Sequence, residues 1–366
     1  MSSKGSGGDG HRARLGRDEP WQDRDFIGKV LALQRQRQDA VCANSGTVFF
    51  DRSPVCTLAL SRYLGGPCAR LCPEPRVTRR LFGMSGQATV RLRDGAELWT
   101  AVSGTGPPVV CLHGGPGLWD YLASLAALLD DTFTVIRFDQ RGCGRSTGDG
   151  PFTIEQAVDD LDQVRAALGF AEWAVAGHSW GAELALRCAA RHPSRTTAVA
   201  YVAGVGAGNG YRDPYRAERD RRLGPDRDRV ARLAAIPDDD LTHEQLRELC
   251  VLQWRCDFSP SPDAAAHARA LWDTRPPGAV VNAAANRELW QDRSTDDLCV
   301  AAARITCPVT MIFGADDPRP WTASDSLLAA LPNARRIVLD DAGHAPWAER
   351  PLDTRRLVID ALRRLR

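Results

Sequence analysis

The sequence predicts an α/β architecture: a mostly parallel central sheet with helices on both faces, interrupted by a helical cap insertion. Three observations carry this reading. Short apolar, β-branched runs recur at 107–112 (PPVVCL), 133–139 (FTVIRFD), 172–177 (EWAVAG) and 197–204 (TAVAYVAG), with helical stretches between them. Uniformly apolar runs, rather than alternating ones, suit parallel strands buried on both faces. From 208 to about 303 this rhythm gives way to charged helical sequence punctuated by Trp254, Trp272 and Trp290, and it resumes with VTMIFGADD at 309–317.

In chain order, residues 1–83 stand apart. Their opening is glycine-rich and charged (MSSKGSGGDGHRARLGRD), which favours disorder, and 25–42 could form one short amphipathic helix. Well-patterned sequence begins at Met84, so this leader is expected to be disordered or a spurious extension. Only two lysines, Lys4 and Lys29, accompany 45 arginines, a bias expected of GC-rich coding sequence, where such extensions arise easily. The expected division is therefore 84–207 and 304–366 as the core, with 208–303 as the cap. ATVRLRDGAELWTAV alternates around Asp94–Gly95 and predicts a hairpin. A helix is expected over 153–168, where Ile154, Val158, Leu161, Val164 and Leu168 recur every three or four residues. Its expected cap is Thr153, with Gln156 as capping-box partner. Helices are likewise expected at 119–130, 180–191, 322–331 and 351–365, and a last strand within 335–344.

Composition excludes several functions. The formal net charge is +1 and the apolar share 43%, which argue for an ordinary globular core and against nucleic acid or an anionic membrane as partner. The eleven cysteines are odd in number and follow no disulfide pattern. Cys111 and Cys188 sit in apolar runs, where a thiol acts as a small hydrophobe. No apolar run approaches ~20 residues, and the N-terminus lacks the profile of a signal peptide. A cytoplasmic protein is expected, with no metal and no cofactor. The charged stretch 212–232 (RDPYRAERDRRLGPDRDRVAR) interleaves acids with its arginines and is expected to be a solvated, salt-bridged cap segment rather than a nucleic-acid site.

The chemistry concentrates in a few motifs. GHSWG (177–181) follows a buried strand and precedes a helix, the setting in which a G-x-S-x-G serine is lifted on strained backbone above a sheet. Ser179 is therefore the candidate nucleophile. A serine needs a base, and the base a carboxylate, in the chain order Ser, acid, His. His344, in DDAGHAPW after the last strand, is the candidate base. GADD (314–317) offers Asp316 and Asp317 as the acid. An oxyanion hole needs the N–H of Trp180 and one from HGGPG (113–117), either Gly115 or Gly114. His113 and His178 are expected to serve packing or loop anchoring.

Together with FDQRGCGRS (138–146) and AGHAPWAERP (342–351), these motifs resemble the α/β-hydrolase superfamily, and within it the proline iminopeptidase group of peptidase family S33. The resemblance runs over roughly 87–366. It implies an α/β-hydrolase fold, a triad of Ser179, Asp317 and His344, oxyanion donors at Gly115 and Trp180, and release of an N-terminal residue, often proline, from small peptides through an acyl-enzyme. It also implies structural ion pairs for Asp139, Arg141 and Arg145. Departures are visible: Leu118–Trp119 stand where relatives carry further glycine, and His178 where many have glycine. Relatives bind the substrate amine with cap glutamates; here LQWRCDF (252–258) offers Trp254 and Asp257 as substrate-binding candidates, with Arg255 positioned to pair with Asp257 instead. Hydrolysis of a small ester, lactone or amide is the alternative, and a non-catalytic binding module the remote one.

Overall fold

The structure is a computed structural model; it describes residues 86–363 apart from 238, 239, 280 and 294. The chain divides into two units at Arg80/Leu81, and all described residues belong to the second. The helix expected within 25–42 lies outside the described residues.

Eight strands form one sheet: β1 (Gly86–Arg91), β2 (Glu97–Ser103), β3 (Pro108–Leu112), β4 (Thr134–Phe138), β5 (Trp173–His178), β6 (Thr196–Val202), β7 (Val309–Gly314) and β8 (Ala334–Leu339). Their order is β1-β2-β4-β3-β5-β6-β7-β8. The first two are antiparallel to their neighbours and the rest run parallel. The expected hairpin joins β1 to β2 through Arg93, Asp94 and Gly95. Leu92 N–H bonds Ala96 O at 2.8 Å, and Gly95 takes φ +93°, which its missing side chain permits.

Helices α1 (Ala123–Ala127), α2 (Ile154–Ala167) and α3 (Trp180–Arg191) follow the strands of the first half. On α2 the periodic residues Val158, Leu161 and Val164 are buried as expected. Thr153 Oγ1 accepts from Gln156 N–H at 3.2 Å, but the Gln156 side chain donates to Asp160 at 2.7 Å. Only half of the expected capping box forms, because the side-chain amide finds a charged acceptor one turn along.

Between β6 and β7 the described residues form α4 (Arg212–Leu223), α5 (Arg227–Ala234), α6 (His243–Trp254), α7 (Ala264–Asp273), α8 (Ala283–Gln291) and α9 (Thr295–Ala302). Leu298 and Ala302 are fully buried in the main core, where α9 packs on α3 and on α10 (Asp325–Ala330). The chain closes with α11 (Pro346–Glu349) and α12 (Pro351–Leu362).

Two apolar layers sandwich the sheet. One unites α2, α3, α9 and α10 beneath Val110, Val175 and Met311; the other joins α1 and α12 to Val109, Ala200 and Ile312. Cys111 and Cys188 lie in these layers, and burial pushes their thiols up to about 12, so they remain neutral. None of the helices among the described residues is long and apolar enough to cross a membrane.

Candidate active site

Ser179 sits at the tip of β5 with φ 56° and ψ −118°, a left-handed conformation that a non-glycine residue adopts only under constraint. The flanking glycines are required by contact. A Cβ on Gly177 would stand 2.1 Å from Gly181 O, and one on Gly181 2.2 Å from Leu112 O. Strand, serine and helix are thus drawn together too tightly for any larger residue.

The loop after β7 brings in Asp317, and the loop after β8 brings in His344. The two loops cross closely, since a Cβ on Gly314 would meet Ala342 O at 2.1 Å. His344 Nδ1 and Asp317 Oδ2 are 2.6 Å apart. Asp317 Oδ1 accepts from Arg319 N–H at 2.9 Å, with Arg319 Nη1 at 3.4 Å. Of the two candidate acids, Asp317 is the one that reaches the imidazole. Asp316 instead offers its backbone carbonyl to Arg222 at 2.8 Å. Burial, reinforced by the Arg319 cation, pushes His344 down to about 3; burial also pushes Asp317 up to about 6. At neutral pH the pair therefore holds a single proton, on His344 Nδ1, which leaves Nε2 as a free acceptor.

Ser179 and His344 are linked through His178. The His178 and His344 rings are 4.7 Å apart, and His178 Nε2 lies 2.8 Å from the His344 carbonyl. A carbonyl can only accept, so Nε2 carries the proton and Nδ1 accepts from Tyr121 Oη–H at 2.6 Å. Tyr121 Oη in turn accepts Gly114 N–H at 2.7 Å. Burial and the neighbouring His344 hold His178 well below its ordinary value, consistent with this neutral tautomer. Among the described residues no hydrogen bond joins Ser179 Oγ directly to His344.

The Gly114 N–H is committed to Tyr121. Gly115, with φ +123°, lines the same cavity as Ser179 and is the residue of HGGPG left to face it. Trp180 begins α3, and its indole donates to Gln140 Oε1 at 3.1 Å. Gln140 also donates to His113 O at 2.8 Å, tying the 113–117 loop to the helix. Asp139 pairs with Arg145 at 2.6 Å, and Arg141 with Asp160 at 2.7 Å. These are the structural ion pairs expected of the 138–146 segment.

The cap residues are placed otherwise than expected. Arg319, not Arg255, holds the Asp257 carboxylate, at 2.8 and 3.3 Å. Arg255 pairs with Asp226. The Asp257 backbone carbonyl accepts His344 N–H at 2.7 Å, so this residue buttresses the His344 loop. Trp254 packs edge-on against Trp119, at 6.1 Å, and beside Trp272. Neither Asp257 nor Trp254 lines the cavity over Ser179.

That cavity has a volume of about 290 Å³ and is lined by Ser179, Gly115, Arg319 and three arginines of α4: Arg212, Arg216 and Arg219. Sequence reasoning missed Tyr121, Gln140, Arg319 and this arginine face. The signal was present: positions 212, 215, 216 and 219 follow i, i+3, i+4, i+7 spacing and share one helix face. A larger cleft, about 970 Å³, opens beside Pro108, Trp173 and Thr197 at the beginnings of the strands. Ligands of open parallel sheets bind at the strands' C-terminal ends, where Ser179, Asp317 and His344 gather, so the smaller cavity is the candidate site.

A family model for the alpha/beta hydrolase fold matches residues 107–351. Over 95 residues the chain is 43% identical to a proline iminopeptidase of Xylella fastidiosa (strain 9a5c), which covers 25% of this chain and 30% of that protein. It thus spans less than a third of that curated relative. A putative carbamate hydrolase, RutD, of Cronobacter turicensis is 30% identical over 243 residues, or 65% of this chain and 84% of the relative. The crystal structure of a Mycobacterium smegmatis proline iminopeptidase superposes with a TM-score of 0.57 at 26% identity, over 76% of this chain and 97% of that one. A family match across most of the chain, on a sheet of this order with a strained serine turn at its centre, makes this chain a member of the alpha/beta hydrolase fold family.

Proposed function

We propose that the chain is a cofactor-independent serine hydrolase that works through an acyl-enzyme. The observation that carries the reading is the 2.6 Å His344–Asp317 pair, connected through His178 to the turn in which Ser179 takes strained left-handed backbone. In this mechanism His344 Nε2 takes the Ser179 proton as Oγ attacks the substrate carbonyl, and Asp317 holds the imidazole in the productive tautomer. The N–H groups of Gly115 and Trp180 receive the developing oxyanion, a contribution worth ~3–4 kcal/mol per donor. His344 then gives the proton to the leaving group, and water repeats the sequence to release the acid. The Ser179–His344 hydrogen bond forms as substrate binds, since such bonds often tighten only then.

Two substrate readings follow. The names of the relatives over the best-matched stretch support release of an N-terminal residue, often proline. One observation favours the second, hydrolysis of a small ester, lactone or amide: Asp257, the candidate amine partner, already holds Arg319. A fluorophosphonate probe and a panel of aminoacyl nitroanilides beside simple esters test both. Wild-type protein is expected to be labelled at Ser179 and Ser179→Ala to lose labelling, with turnover reduced at least ~10⁴-fold. Turnover by Ser179→Ala close to wild type overturns the reading.

A further inference from the structure

We propose that the cavity over Ser179 recognises a carboxylate on the substrate, and that the arginine face of α4 is its specificity element. The proposal rests on Ser179 being the nucleophile argued above. Four of the residues lining the cavity are arginines, and none is acidic. Arg319 is neutralised from behind by Asp257 and Asp317. The α4 arginines are not compensated to the same degree. Arg212 has no carboxylate partner among the described residues and rests over the Trp290 ring at 5.6 Å. Arg219 reaches Asp220 only at 3.4 Å, and its Nε is buried with no hydrogen-bond partner among the described residues. A buried guanidinium donor left unmatched calls for an acceptor, and a carboxylate supplies the planar geometry that arginine favours. Arg216 pairs with Asp213 at 3.3 Å, but both are exposed and the pairing is weak.

The helix is also anchored so that this face stays over Ser179. Arg222, at the C-terminal end of α4, donates to the carbonyls of Cys256, Phe258 and Asp316 at 2.8–3.0 Å. The last of these belongs to the loop that carries Asp317. Of the α4 acids, Glu218 is engaged outside the cavity, on Arg221 and Arg222, and Asp213 and Asp220 make only the long contacts to Arg216 and Arg219 given above. An ammonium entering here meets guanidinium groups with no free carboxylate, whereas an anion is drawn in. A cavity of this size admits a short acyl chain, so the fitting substrate is a small ester or amide with a carboxylate at the far end of its acyl group.

The test compares 4-nitrophenyl hydrogen glutarate with its neutral methyl ester and with a cationic aminoacyl 4-nitroanilide. Wild type should hydrolyse the hydrogen glutarate with a kcat/KM about 10- to 100-fold above the methyl ester, as a charge-assisted hydrogen bond predicts. Added salt should reduce that preference. In the Arg212→Gln/Arg219→Gln double variant the ratio should fall towards one, and Arg212→Glu should shift preference towards the cationic substrate. Arg221→Gln, on the same helix but outside the cavity, should leave the ratio unchanged. Fluorophosphonate labelling and ester turnover without any advantage for the anion, or an advantage the double variant retains, overturn this proposal and leave the hydrolase reading standing. Should no substrate be turned over and no label taken, the hydrolase reading fails. Calorimetric titration with glutarate then decides: binding by wild type that the double variant loses supports the arginine site, and no binding overturns it.

Discussion

His178 Nε2 donates to the backbone carbonyl of His344 at 2.8 Å, while its Nδ1 accepts from Tyr121, which in turn accepts Gly114 N–H. One imidazole therefore couples the serine turn, the 113–117 loop and the candidate base. Replacing it with Phe preserves the ring against Trp347, 4.7 Å away, but leaves the Tyr121 O–H without an acceptor and the His344 carbonyl without its donor. The expected cost is about 1–3 kcal/mol for each unsatisfied group, read as a lower denaturant midpoint. As a positioning residue, His178 should also affect kcat more than KM, and a variant with full kcat contradicts that role.

Asp317→Asn should be nearly inactive while remaining folded. An amide can donate to His344 Nδ1, which moves the ring proton to Nε2 and removes the acceptor that Ser179 needs. The loss expected from this tautomer exchange is ~10⁴ in kcat. Single-turnover kinetics, with circular dichroism confirming the fold, would expose any milder effect.

Activity should have an acid limb near pH 6. Below that value the His344–Asp317 pair takes up a second proton, because burial raises Asp317 to about 6. A proton on the carboxylate forces the wrong imidazole tautomer, and one on Nε2 blocks the base directly, so either location stops the reaction. The kcat/KM should fall about tenfold per pH unit on this limb. A profile flat down to pH 4 contradicts the assignment.

Arg319→Gln should move that limb to higher pH. Its cation depresses both Asp317 and His344, so its removal raises both. The same change leaves Asp257 partly buried without its partner and should lower the melting temperature. A lower melting temperature with an unmoved acid limb would mean that Arg319 is structural alone.

Gly181→Ala should be severely destabilised, because its Cβ would fall 2.2 Å from the Leu112 carbonyl, a backbone atom that cannot swing aside. Overpacking of this kind costs about 1–3 kcal/mol or more. A variant with an unchanged denaturant midpoint would show that the strand–helix approach is looser than described.

Most of the sheet was legible because a parallel strand buried on both faces leaves an apolar run that needs no partner to be recognised. The serine turn was legible for a similar reason: Gly177 and Gly181 record a local demand for space. Neither the fate of the capping box at Gln156 nor the packing of α9 could be read in this way. Each depended on a partner distant in sequence or on the next turn of helix, Asp160 in one case and the buried faces of Leu298 and Ala302 in the other.

By itself the sequence determined an alternating strand–helix order, a helical interruption and a serine hemmed in by glycine, since backbone conformation and hydrophobic period are short-range properties. Only the tertiary structure decided that Asp317 rather than Asp316 meets His344, that Gly114 is committed to Tyr121, and that Arg319 holds Asp257. It also turned one arginine-bearing face of a mixed-charge helix towards the cavity. In sequence, 212–232 reads as balanced charge; in space Arg212, Arg216 and Arg219 line the cavity while Glu218 engages arginines outside it. Electrostatic character depends on distance through space, and the chain's linear order does not contain that distance.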